Sequence, residues 1–217
     1  MDKNELKKSV QLRFSDIQHK VRKMADAKRS YRAEIEKLAG LVQDYNADYI
    51  EKKREQVERS YRETLQQHAR EINNYLESME KEVKQLHAGI DLNDTRWQNA
   101  AAIVQSLAGD PEKDGELIRQ INAQFAGDQP ALRALQSMYR SKGLSYDGGI
   151  DKQIYDADTM INWLRETTRQ VASGNATINA LAGRIGKMAA LEGVTFDTLP
   201  DPDGVMEAAR AAAGLVD

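Results

Sequence analysis

The sequence predicts an all-α protein with a long N-terminal coiled-coil-like arm over residues 1–90, a small helical bundle over residues 91–197, and a linker with a short C-terminal helix over residues 198–217. Three observations carry this. The first ninety residues contain no proline and repeat an apolar or aromatic residue at steps of three and four. Charged residues make up 30% and aromatics only 6%, with abundant Ala, Glu, Lys, Gln and Arg, a balance that favours helix over sheet. The third is the lack of any convincing alternating strand pattern.

The arm is expected from near Asn4 to about His87, ending at Ala88-Gly89, where glycine can take a left-handed cap. Its stripe runs Phe14, Ile17, Val21, Met24, Lys28, Tyr31, Ile35, Leu38, Val42, Tyr45 and Tyr49, with Lys28 the one polar interruption. Such a 3.5-residue repeat makes a seam that needs a second helix to cover it, so Phe14, Ile17, Val21, Met24, Tyr31, Ile35, Leu38, Val42, Tyr45 and Tyr49 form the candidate partner-binding surface. After Tyr49 the anchors are Val57, Tyr61 and Leu65, then His68, Ile72, Tyr75, Leu76, Met79, Val83, Leu86 and Ile90. Each step of four advances about 40° around a helix, so the passage from Tyr49 to Leu65 turns the stripe by roughly 160°.

Two forms of the arm follow. One is a continuous or gently kinked helix, on the order of 125 Å long at 1.5 Å per residue. The other is a hairpin bent around Asp44-Tyr45-Asn46-Ala47-Asp48, whose residues disfavour helix. The heptad pattern passes through that segment unbroken, and it contains neither Gly nor Pro, so the continuous helix is favoured.

Beyond the arm the punctuation is clearer. Asn93 or Asp94 can cap a helix bearing Trp97, Ala101, Val104 and Leu107, which ends at Ala108-Gly109-Asp110-Pro111. A second helix is expected from about Asp114 to Phe125, and a third from Pro130 to Gly143. Leu144–Gly149 reads as a loop. A longer helix then runs from about Asp151 to Ala172, and another from Asn175 to Leu191, with Asn175 as its cap. Thr198-Leu199-Pro200-Asp201-Pro202 separates a final alanine-rich helix capped by Asp203.

The chemistry-bearing residue types are sparse. With no cysteine, disulfides, thiolate metal sites and thiol catalysis are excluded. His19, His68 and His87 lie on the arm without metal-ligand spacing, and His68 falls in the stripe as a packing residue. Asp110–Gly115 imitates the start of a calcium loop but has Ile121 where a bidentate glutamate belongs. No phosphate loop, HExxH or GxSxG pattern occurs, so the sequence points to no catalytic, metal or cofactor site and to a protein that is not an enzyme. The N-terminus lacks the apolar core of a secretory signal and no stretch approaches the ~20 apolar residues needed to span a bilayer, so a soluble, cytoplasmic protein with no membrane partner is expected.

The net charge of −3 is unevenly spread. Residues 1–32 hold ten Lys or Arg against four Asp or Glu, while residues 91–217 hold twelve against eighteen. Lys20, Arg22, Lys23, Arg29 and Arg32 form a candidate basic surface for phosphates, although the basic residues surround the helix rather than making a clean stripe. Tyr31, Tyr45, Tyr49, Tyr61 and Tyr75 crowd the stripe, where each ring can bury its body and keep its hydroxyl wet.

A long charged coiled-coil segment, an acidic helical body, no cysteine and a short terminal helix after a Pro-Asp linker together resemble structural and assembly proteins of tailed phages, scaffolding proteins in particular. The resemblance implies self-association, a structural protein as partner and a place in the host cytoplasm or virion. The tail departs from that pattern: scaffolding proteins often carry basic residues in a terminal coat-binding helix, whereas here Arg210 stands against Asp201, Asp203, Glu207 and Asp217. No functional residue is carried over. The leading expectation is a self-associating, assembly-organising protein. The alternatives are a nucleic-acid-associated protein using its basic first third and an adaptor that captures another helical protein.

Overall fold

The computed structural model describes residues 3–43, 45–144 and 147–194. Every described element is helical: α1 Lys3–Gly40, α2 Ala47–Leu86, α3 Thr95–Ser106, α4 Pro111–Gln124, α5 Gln129–Ser141, a 3-10 turn Ile150–Lys152, α6 Ala157–Ala172 and α7 Ile178–Leu191. The expected final helix and the linker before it lie outside the described residues.

The arm is a helical hairpin, which corrects the continuous helix favoured from the heptad pattern. The first helix ends at Gly40, the weakest helix former apart from proline, and residues 41–43 form a turn. Asn46 then starts α2, its side-chain Oδ1 accepting the Tyr49 backbone N–H at 2.8 Å. The two helices run antiparallel. Tyr31 stacks on Tyr61 with centroids 4.6 Å apart, and Lys20 reaches Glu71 at 2.8 Å, so eleven residues back along α1 match ten forward along α2.

The described residues divide into two compact units, each combining part of the arm with part of the chain beyond residue 90. Of the described residues, one draws on 3–11, 80–160 and 187–194, the other on 12–79 and 161–186.

In the first unit, Trp97, Val104, Ile118, Ile121, Phe125, Leu132, Leu135, Tyr139 and Ile150 form a core around α3, α4 and α5. Aspartates open these helices as their N-caps. Asp94 accepts from Arg96 N at 2.9 Å, Asp110 from Glu112 N at 3.0 Å and Asp128 from Ala131 N at 3.3 Å. The helix expected from Asp151 begins later, at Ala157. The buried Gln129 side chain donates to Gln153 O at 2.8 Å and accepts from Tyr155 N at 3.1 Å. Those bonds tie residues 153–155 to α5 and keep them out of the helix, and Asp156 becomes the cap instead, accepting from Thr159 N at 2.7 Å.

In the second unit the buried apolar residues come from four helices: Phe14, Ile17, Val21 and Met24 of α1, Leu65, Ile72, Leu76 and Met79 of α2, Ile161, Leu164 and Val171 of α6, and Ile178, Leu181 and Ile185 of α7. Their three-and-four spacing on each helix gives one apolar stripe per helix. Thr177, not Asn175, caps α7, its hydroxyl accepting from Ala180 N at 3.1 Å.

Candidate functional site

The hairpin has two unlike halves. From Leu65 to Met79 and from Phe14 to Ala25 its inward residues are buried, whereas among the described residues from Asp26 to Thr64 none is buried. The seam predicted from sequence is therefore split. Phe14, Ile17, Val21 and Met24 are core residues of this chain, Tyr31, Ile35 and Leu38 are half-buried, and Val42, Tyr45 and Tyr49 are 59%, 50% and 44% exposed. Leu41, absent from the predicted seam, joins them at 37% exposure. It lies three residues after Leu38 and four before Tyr45, so the same spacing could have marked it in place of Val42.

Aromatic contacts organise the exposed end. Tyr45 and Tyr49 stack with centroids 5.1 Å apart across the start of α2, and the Lys53 ammonium lies 6.0 Å from the Tyr49 ring. Between the helices, Ala27, Ser30, Tyr31, Glu34 and Leu38 face Lys53, Gln56, Val57, Ser60, Tyr61 and Thr64 across a groove of about 450 Å³. Its lining combines the small residues Ala27, Ser30, Ser60 and Thr64 with the apolar bodies of Tyr31, Leu38, Val57 and Tyr61. The turn end thus sets exposed apolar side chains beside an open, half-apolar groove.

A second cavity of about 650 Å³ lies where Lys28, Tyr31, Glu58, Tyr61 and Arg62 meet the α6–α7 connection, residues 171–178. Its two cations already have partners: Arg62 pairs with Glu58 at 2.5 Å, and Lys28 is engaged within the chain. The cavity offers shape more than chemistry.

The basic surface predicted from sequence is partly neutralised. Lys20 is held by Glu71, and that contact, together with a 3.1 Å contact from His68 Nδ1, holds the Glu71 carboxyl down at about 2. Arg29 pairs with Asp26, and Arg22 is also engaged within the chain. Lys23 is exposed and Arg32 half-buried.

A buried polar cluster lies elsewhere. In the first unit, His87 Nε2 lies 3.0 Å from Glu192 Oε1, the Tyr155 hydroxyl donates to the same oxygen, and the His87 and Tyr155 rings meet edge to face at 5.7 Å. Burial, reinforced by the Glu192 charge, pushes the Tyr155 hydroxyl well above its ordinary value. The void bordered by His87, Lys3, Lys7 and the Gly127–Pro130 turn is only about 10 Å³, space for roughly one water. The cluster thus acts as a clamp on the end of α7, a role no local motif in the sequence announces because its members are up to 105 residues apart.

Among the described residues no group of three or more His, Asp or Glu is placed to hold a metal ion, and no helix is long and apolar enough to cross a membrane. No protein family, curated protein or solved structure matches this chain.

Proposed function

We propose that this chain is a non-enzymatic helical protein that self-associates and organises a larger assembly, using the turn end of its hairpin as the associating surface. The observation that supports this best is the absence of any buried residue among those described from Asp26 to Thr64, against a regularly buried inward face over residues 14–25 and 65–79. Two antiparallel helices alone cannot exclude water from both sides of their seam, so this stretch gains stability only when another surface covers it. A scaffold-like part in phage head morphogenesis is the most specific form of the reading and rests on the architecture alone.

The basic first third favours nucleic acid less, because Lys20 is held by Glu71 of the facing helix and Arg22 is engaged within the chain. The test is a double substitution, Ile35→Asp with Leu38→Asp, at half-buried positions of the exposed stretch. It is expected to dissociate the oligomer while leaving the helical circular dichroism of the folded chain in place. A wild type that is monomeric at all concentrations overturns the reading.

A further inference from the structure

The turn end of the hairpin carries a charge gradient. Residues 41–43 and 45–51, at the turn and the start of α2, hold Asp48 and Glu51 and no Lys or Arg. The next level, residues 34–40 and 52–58, is balanced, with Glu34, Glu36, Glu55 and Glu58 against Lys37, Lys52, Lys53 and Arg54. The level beyond it, residues 27–33 and 59–65, holds Lys28, Arg29, Arg32, Arg59 and Arg62 against Glu63 alone. The sign of the hairpin therefore changes from acidic at the turn to basic about 17 residues away, roughly 25 Å along the helices. Apolar character is divided the same way: protruding residues Leu41, Val42, Tyr45 and Tyr49 lie at the acidic end, and the groove lies in the balanced and basic levels.

We infer that the occupant of this groove is the turn end of a second copy, laid antiparallel so that each acidic tip covers the basic level of the other and the two hairpins form a four-helix bundle. This deepens the proposed self-association and rests on it. A two-fold axis through the balanced level satisfies both halves at once, since whatever the tip of one copy meets, the tip of the other meets too. The parallel arrangement places tip on tip and base on base, setting like charges against each other in both places. The antiparallel one sets Asp48 and Glu51 beside Arg29, Arg59 and Arg62 of the other copy and seats Leu41, Val42 and Tyr45 against Tyr31, Leu38, Val57 and Tyr61. The ion pairs within each copy, Arg29 with Asp26 and Arg62 with Glu58, are exposed and weak, so they exchange at little cost for pairs across a drier interface.

The test uses two full-length variants with substitutions confined to exposed positions. The tip variant carries Asp48→Lys and Glu51→Lys; the base variant carries Arg29→Glu, Arg59→Glu and Arg62→Glu. Each alone places like charge on like charge and is expected to weaken association by about tenfold or more, read by sedimentation equilibrium at low salt. An equimolar mixture restores attraction at both contacts and is expected to form a dimer with one copy of each. Wild-type association should also weaken as salt rises.

Variants that associate as tightly as the wild type, or a mixture that stays monomeric, overturn the antiparallel pairing. They leave self-association standing if the wild type remains oligomeric. A wild type that is monomeric at every concentration overturns the self-association reading itself, and the pairing with it. A monomeric wild type that binds a short DNA duplex, with that binding lost in the base variant, does the same and assigns the basic level to nucleic acid.

Discussion

At the scale of single residues, two contacts make the clearest claims. Gly127 sits at φ +79°, and a Cβ there would lie 2.9 Å from the backbone C and O of Glu192. Backbone atoms cannot swing aside as a flexible side chain does, so Gly127→Ala has to displace the end of α7 from the His87 and Tyr155 clamp. It is expected to cost about 1–3 kcal/mol, seen as a lower urea midpoint with an unchanged slope. Glu71 makes a different prediction. Its carboxyl titrates at about 2 when folded, because Lys20 and His68 bind its charged form, against about 4.3 unfolded. A depressed acid contributes stability that is present above the unfolded value and lost as pH falls through the folded one. Stability should therefore decline between about pH 5 and pH 2, and Glu71→Gln should flatten part of that decline while lowering stability at neutral pH. An unaltered acid limb in the variant would show that the contact contributes nothing.

At the scale of elements, the two halves of the hairpin should answer the same substitution differently. Ile72 is fully buried, and Ile72→Ala is expected to cost ~2–5 kcal/mol through lost burial and the cavity left behind. Val42 is 59% exposed, so Val42→Ala should change the stability of the dilute protein by less than about 0.5 kcal/mol while weakening association. Chemical denaturation at low concentration, paired with light scattering, reads both effects. The helices beyond residue 90 were largely legible from their punctuation: Asp94, Asp110 and Asp128 cap as such residues do, and the glycines stop α3, α4 and α5 within a few residues of where they were expected. The hairpin was less legible, because its apolar pattern keeps heptad spacing straight through the turn. Val42, Tyr45 and Tyr49 look like a continuing seam when they are the exposed end of two helices. The signal that separates the cases is Gly40 followed by Asn46, a weak helix former and a cap six residues apart, with the wholly polar stretch Glu51–Gln56 after them.

At the scale of the whole molecule, the lower seam was read as needing an external partner when the chain itself supplies one. Phe14, Ile17, Val21 and Met24 are buried in a unit that also takes in residues from α6 and α7, more than a hundred positions away. Periodicity shows that a stripe must be covered, but it carries no information about which distant segment covers it. The same limit hid the clamp of His87, Tyr155 and Glu192, whose members have no meaningful spacing in sequence. Among the described residues the turn end of the hairpin is the long stretch without a buried side chain, and the proposal that this surface mediates self-association is tested most directly by amide hydrogen exchange at two protein concentrations. Residues 27–64 should exchange quickly in dilute protein and slow markedly when the 24.4 kDa chain is concentrated enough to associate, while residues 65–79 stay protected throughout. Exchange over residues 27–64 that is equally fast at both concentrations, in a sample whose scattering mass has risen, would contradict the claim and place the associating surface elsewhere on the chain.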